Sequence, residues 1–195
     1  AMLPLHVFEP RYVRMVEDLA RTGEVRIVMG LFRPDWEESY FERPPVHEIG
    51  GLGTVLQINP AGKDRFNILV KGVSRARLLE EPPSSLPYRQ VHTEEIPERI
   101  LASEAECREL RERLRKGLID FADGSLALMT DASLAYLADI LTVALPLDIQ
   151  IRQEIFAILE VSERARRVLA HLKEIHARRR SLKLSGDREQ AAPWN

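Results

Sequence analysis

The residues able to do chemistry are few and scattered. Five histidines (His6, His47, His92, His171 and His176) share no metal-ligand spacing. His171 and His176 lie five apart, about 140° round a helix, and so face different directions. A metal site needs convergent ligands, and these read as surface residues. The single cysteine, Cys107, falls on the apolar stripe of a predicted helix, where a thiol behaves as a small hydrophobe. Arg108 beside it is the only feature favouring a thiolate nucleophile. Neither G-x-x-x-x-G-K-[ST] nor G-x-G-x-x-G occurs, so the usual signals of nucleotide hydrolysis and dinucleotide binding are missing. Gly50-Gly51-Leu52-Gly53 precedes a strand and not a helix, so it reads as a turn or bulge. Glu37, Glu38, Glu80, Glu81, Glu94 and Glu95 sit among other charges in loops and at strand ends, as solvated surface. The expectation is therefore a binding module with no catalytic residue, no metal and no cofactor.

The elements that would position a binding surface divide the chain in two, at about Pro97. The first part, 1–97, is rich in Pro and Gly and has one short helix. Pro10 suits a first helical position, and Tyr12, Met15, Val16 and Leu19 form one stripe before Gly23 stops it. Strands are predicted at Val25–Phe32, Leu52–Ile58, Phe66–Lys71, Val73–Leu79 and Tyr88–Glu94, the second and third joined as a hairpin through Asn59–Asp64. Short strands with regular turns favour a small barrel or curled sheet. Pro34–Pro45, carrying Trp36, Tyr40 and Phe41, is predicted as a long loop.

After Pro97 the period changes to 3.6. Ser103 and Glu106 form a capping-box pattern ahead of Cys107, Leu110, Leu114, Leu118 and Phe121, in a helix running to Gly124. Asp131 is the expected cap of a second helix, apolar nearly all round, and Asp148 that of a third. A fourth runs from about Val161 to Leu184, with its Arg178-Arg179-Arg180 end projecting. These make a helical part, 98–184, and a frayed tail, 185–195. The fold class is α+β. The chain carries 28 Lys+Arg against 30 Asp+Glu, which argues against a nucleic-acid or anionic-membrane partner. One cysteine excludes an internal disulfide, and no apolar run is long enough to span a bilayer. With no signal peptide visible, a cytoplasmic location is expected.

Leu3-Pro4-Leu5-His6-Val7-Phe8-Glu9-Pro10-Arg11-Tyr12 resembles the "LPLHIFEPRY" signature of the LON substrate-binding domain, the amino-terminal domain of Lon-type ATP-dependent proteases. Gly51-Leu52-Gly53-Thr54 resembles the family's "GxxG" strand entry, and Phe66–Arg75, with Gly72 and Arg75, its "Y-N-I-x-v-x-G-x-x-R" hairpin. Leu134–Leu172 is similar to its helical region. The resemblance spans about residues 3 to 175. It implies a PUA-like β pseudobarrel with one short helix, followed by a four-helix C-terminal bundle, and a role in binding unfolded or degron-bearing polypeptide.

Within that resemblance Pro4, Phe8, Glu9, Pro10, Arg11, Tyr12, Gly53, Gly72 and Arg75 read as architecture. Pro4 and Pro10 fix φ, Leu5 and Phe8 pack under the sheet, and Glu9 can pair with Arg11. The candidate binding contacts are Trp36, Tyr40 and Phe41, because exposed aromatics supply contact area at low entropic cost. Two alternatives stand beside polypeptide binding: RNA binding through Lys63, Arg65, Lys71, Arg75 and Arg77, and a small enzyme with its site in the barrel cleft. The chain holds neither the ATPase nor the Ser-Lys protease module of Lon proteases. The family carries a strand ahead of the motif, and only two residues precede it here. An unpaired sheet edge is thus expected, open to cover by the loop Pro34–Pro45, to a second copy or to an added client strand, and the expectation is a loop-covered monomer or a weak homodimer.

Overall fold

Alternating β-branched and aromatic residues on either side of a tight turn build the central feature, a long hairpin. Its strands are β3 (Ile49–Pro60) and β4 (Phe66–Leu78). In this computed structural model residues 2–40, 42–121 and 131–190 are described, the side chains of 121 and 182–190 excepted. Gly62 and Asp64 take positive φ in the turn, and the Ala61 N–H donates to Arg65 O at 2.9 Å. The two strands predicted from Phe66 to Leu79 are one continuous strand, because Gly72 does not interrupt the ladder. The register slips between Leu52 and Gly53 and again between Val55 and Gln57, so the glycine-rich stretch does carry a bulge. Gly53 also sits where a Cβ would lie 2.5 Å from Val70 Cγ1, and only glycine lets β3 and β4 approach there.

The other strands add to this hairpin. β1 (Met2–Val7) and β5 (Thr93–Ile96) both pair with β4, over Phe66–Lys71 and Arg75–Leu78, while β2 (Arg26–Met29) pairs with β3. All pairings are antiparallel, and the path runs β1-β4-β3-β2. Three expectations change here. The opening motif is a full strand and not only a helix entry. The Tyr88–Glu94 strand is displaced to Thr93–Ile96, since Tyr88 and Arg89 are used for contacts to Asp18, Glu81 and Pro44 O. β2 is shorter than Val25–Phe32, with Phe32 making only an isolated bridge to Val46.

Helix α1 (Pro10–Thr22) covers the inner face of the sheet. Pro10 opens it, and Gly23 closes it with its N–H on Leu19 O. Val13 and Val16 join Val7, Ile27, Val55, Ile68 and Val70 in one core, with Leu5, Tyr12, Met15 and Leu19 packed against it. Phe8 departs from expectation. Val7 points inward, so the period-two alternation turns Phe8 outward, where it is 61% exposed and stacks on His6 at 6.0 Å. Pro4 lies exposed opposite Leu69.

Residues 98–190 form a second unit, divided from the first at Pro97 and Glu98. Its helices are α2 (Glu104–Phe121), α3 (Leu134–Ala144), α4 (Ile149–Ala157) and α5 (Val161–Gln190). Leu110, Leu114, Leu118, Leu137, Leu141, Val168 and Leu172 meet in one core, against which Cys107 packs half-buried. Gly117 allows close approach of α2 and α5, since a Cβ there would lie 2.6 Å from Leu172 Cδ2. Ser103 and Asp148 make the expected cap bonds, to Glu106 N at 3.3 Å and Gln150 N at 2.8 Å. The α3 cap is Ser133, not Asp131, with its Oγ accepting from Tyr136 N at 3.1 Å. Helix α5 continues past Leu184 to Gln190, so a tail starting at Ser185 is not observed. The expected end of α2 at Gly124 lies outside the described residues.

Candidate functional site

A cleft of about 1450 Å³ opens in the first unit, bounded by α1, β2 and the loops 30–48 and 79–93. Its floor is apolar: Met15, Leu19, Ile27, Val46, Leu52 and Leu78 line it. Met15, Leu19 and Ile27 lie on the face of the sheet that α1 covers, and Val46, Leu52 and Leu78 on the opposite face. The cleft is also lined by charges, several of them turned on one another. Arg43 Nη1 lies 3.3 Å from Glu81 Oε2, Arg89 Nε donates to Glu81 Oε1 at 2.8 Å, and Arg26 Nε donates to Glu24 Oε1 at 3.3 Å.

The most enclosed charge is Asp18, 6% exposed on α1. It accepts from Arg21 Nη2 at 3.0 Å, Arg14 Nε at 3.1 Å and Tyr88 Oη at 3.1 Å. The Arg21 hydrogen bond, helped by Tyr88 and Arg14, holds its carboxyl below the usual range against the opposing effect of burial. Burial, and then the bond to Asp18, pushes the Tyr88 phenol up. Tyr88 thus straps the loop 79–92 to α1. Arg89 straps it a second time, by donating to Pro44 O at 2.6 Å.

The predicted aromatic contacts behave differently. Trp36 and Tyr40 are half-buried and do not line the cleft; Phe32 does, and both pack on it. The ring centroids lie 5.4 Å apart for Phe32–Trp36 and Trp36–Tyr40, and 6.3 Å for Phe32–Tyr40. Phe41 lies outside the described residues. Tyr40 Oη donates to both Glu9 oxygens, at 3.0 and 2.9 Å, and the Arg11 guanidinium stands 4.5 Å over the Tyr40 ring and 4.8 Å over Tyr12. Glu9 and Arg11 pair at 3.1 Å. The hydrogen bond to Glu9, followed by burial, raises the Tyr40 phenol above its ordinary value. Motif residues Glu9 and Arg11 therefore anchor, through Tyr40, the loop that carries Phe32 into the cleft wall.

The basic residues considered for RNA do not form one face. Arg75 is buried, and Arg77 pairs with Glu48 at 2.8 Å and Glu94 at 3.6 Å. Lys63 and Arg65 sit exposed on the hairpin turn, and Lys71 is exposed opposite Met2. Among the described residues no cluster of three or more His, Cys, Asp or Glu is placed to hold a metal, and no helix is long and apolar enough to cross a membrane. Reading the residues alone missed Asp18 and Tyr88. The charged side of α1 looked solvated, and only the loop returning from Glu80 to His92 encloses it.

Residues 1–174 match the family model described as the ATP-dependent protease La (LON) substrate-binding domain. The chain is 29% identical over 183 residues to Lon protease 2 of Sorangium cellulosum, a match covering 87% of this chain and 22% of that protein. It is 33% identical over 124 residues to Lon protease of Desulfovibrio desulfuricans, covering 60% of this chain and 13% of that one. The chain thus spans less than a quarter of the length of these relatives. The fold is similar to the N-terminal domain of Mycobacterium avium complex Lon protease, with a TM-score of 0.62 at 18% identity over 89% of this chain and 90% of the other. The Lon N-terminal domain protein from Xanthomonas campestris gives 0.57 at 20% identity, over 87% and 89%.

Proposed function

Because this chain belongs to the LON substrate-binding domain family, we propose that it is a polypeptide-binding module that receives extended, apolar segments in the cleft of residues 1–97 and performs no catalytic step. One observation carries the reading: apolar side chains line a cleft in which Arg26, Arg43 and Arg89 are already engaged by Glu24 and Glu81. Charges already held by partners on the protein offer little to a ligand, so binding rests chiefly on apolar burial and is only weakly dependent on salt. Such a surface accepts many sequences, which suits recognition of unfolded chains.

The test is fluorescence anisotropy with a labelled, permanently unfolded carboxymethylated protein. Leu79 lines the cleft and is half exposed, so Leu79→Asp changes the cleft without emptying the core. That variant is expected to bind about tenfold more weakly, the equivalent of losing one buried leucine contact. Wild-type affinity is expected to change little from low to high salt. Unaltered binding by Leu79→Asp, or a steep salt slope of the kind nucleic acid gives, overturns the reading.

A further inference from the structure

β2 is an edge strand, and its free edge lies in the cleft: Arg26, Ile27 and Val28 all line it. The Arg26 N–H donates to Glu24 Oε1 at 2.9 Å and so points away from β3. In an antiparallel ladder the outward positions alternate, which turns the N–H and C=O of Val28 outward as well. Among the described residues nothing pairs with these two groups. Glu24 itself acts as an internal stand-in for a ligand. Its Oε1 collects the Val25 N–H at 3.0 Å, the Arg26 N–H and the Arg26 guanidinium, three donors on one anionic oxygen. Those same bonds, the Arg26 N–H foremost, hold the Glu24 carboxyl below its usual range.

We propose that this edge captures the free C-terminus of an extended apolar polypeptide. The terminal carboxylate displaces Glu24 from the Arg26 N–H and guanidinium, and the residue two places before it exchanges both backbone hydrogen bonds with Val28. The proposal rests on the polypeptide-binding reading above and specifies which part of the polypeptide is held. Two features favour a chain end over a passing segment. The site binds an anion through a guanidinium, which complements a carboxylate better than an amide carbonyl. Only three residues also separate the strand from α1, whose Arg21 and Thr22 line the cleft at the end where the carboxylate sits. Backbone pairing makes the capture tolerant of sequence, while alternate side chains meet Met15 and Leu19 on one face and Val46 and Leu78 on the other.

Two fluorescein-labelled octapeptides of the same uncharged apolar sequence, one a C-terminal acid and the other its amide, are titrated against the whole chain. The acid is expected to bind about tenfold tighter, the difference between a charge-assisted and a neutral hydrogen bond. Glu24→Gln, which weakens the internal competitor, is expected to tighten binding of the acid. Val28→Pro removes the outward N–H at an edge position where proline is tolerated, and is expected to abolish binding of both with an unchanged circular dichroism spectrum. Equal binding of acid and amide, or full binding by Val28→Pro, overturns the capture and leaves the polypeptide-binding reading standing. If neither peptide binds the wild type, both fall.

Discussion

Glu160 shows how one side chain can tie an element to its surroundings. It precedes α5 and accepts from the backbone N–H groups of Ser162 and Glu163, the Ser162 hydroxyl and the Leu101 N–H. Burial alone would raise its carboxyl, but these donors outweigh it and bring the pKa from 4.5 down to about 2. A carboxylate depressed in the folded state adds stability that is complete above its unfolded value and is lost as the pH falls through the folded one. The contribution of Glu160 is therefore intact above about pH 4.5 and disappears between there and about pH 2. Glu160→Gln is expected to be less stable than wild type at neutral pH and to lose less stability on acidification, so the two urea midpoints converge toward pH 2. Parallel curves would show that the donors do not distinguish the charged form.

Among the elements, the β3–β4 hairpin depends on Gly53 and the strap 79–92 on Tyr88. A methyl group at Gly53 would press on Val70, a β-branched side chain buried in the core with no free rotamer. Gly53→Ala is expected to cost about 2 kcal/mol in chemical denaturation, the usual effect of overpacking. Tyr88→Phe removes the bond to Asp18 and keeps the ring. Faster hydrogen exchange is expected at the Leu79 and His92 amides, which pair across the base of the strap, with the core strands unchanged. These cases also mark how far the sequence could be read. The α1 stripe, the hairpin and three of the helix caps follow from local spacing and turn chemistry, and so were legible. Phe8 was not, because nothing local says whether a residue at a strand-to-helix junction still obeys strand alternation. Trp36 and Tyr40 were legible as aromatics on a loop, but their packing on Phe32 and Glu9 depends on pairs 31 residues apart in the chain or on a turn that periodicity does not specify. The free edge of β2 has no signature at all, since edge and interior strands share one alternation.

At the scale of the whole molecule, the division at Pro97 is proposed to separate two cooperative units, each with its own core. Arg164 tests this. It is fully buried in the second unit, donating to Ile158 O at 2.7 Å, lying 3.1 Å from Asp139 and pairing with Glu98. Arg164→Ala removes one partner of a buried ionic network and is expected to cost about 3 kcal/mol. If the units unfold separately, calorimetry shows the transition of the helical unit moving down while that of the sheet stays in place. A single transition shifting as a whole would join them. The pairing of β1 with β4 has a further consequence, one of timing. Leu5 meets Ile68, so a strand at the start of the chain waits for a partner made much later. At ribosomal speeds the interval is roughly 3–13 s, during which the Met2–Val7 strand lacks its ladder partner and the half-buried Leu5 is uncovered. Slowing translation between Val7 and Phe66 therefore lengthens a period in which this protein is itself an unfolded chain, of the kind proposed to enter its cleft.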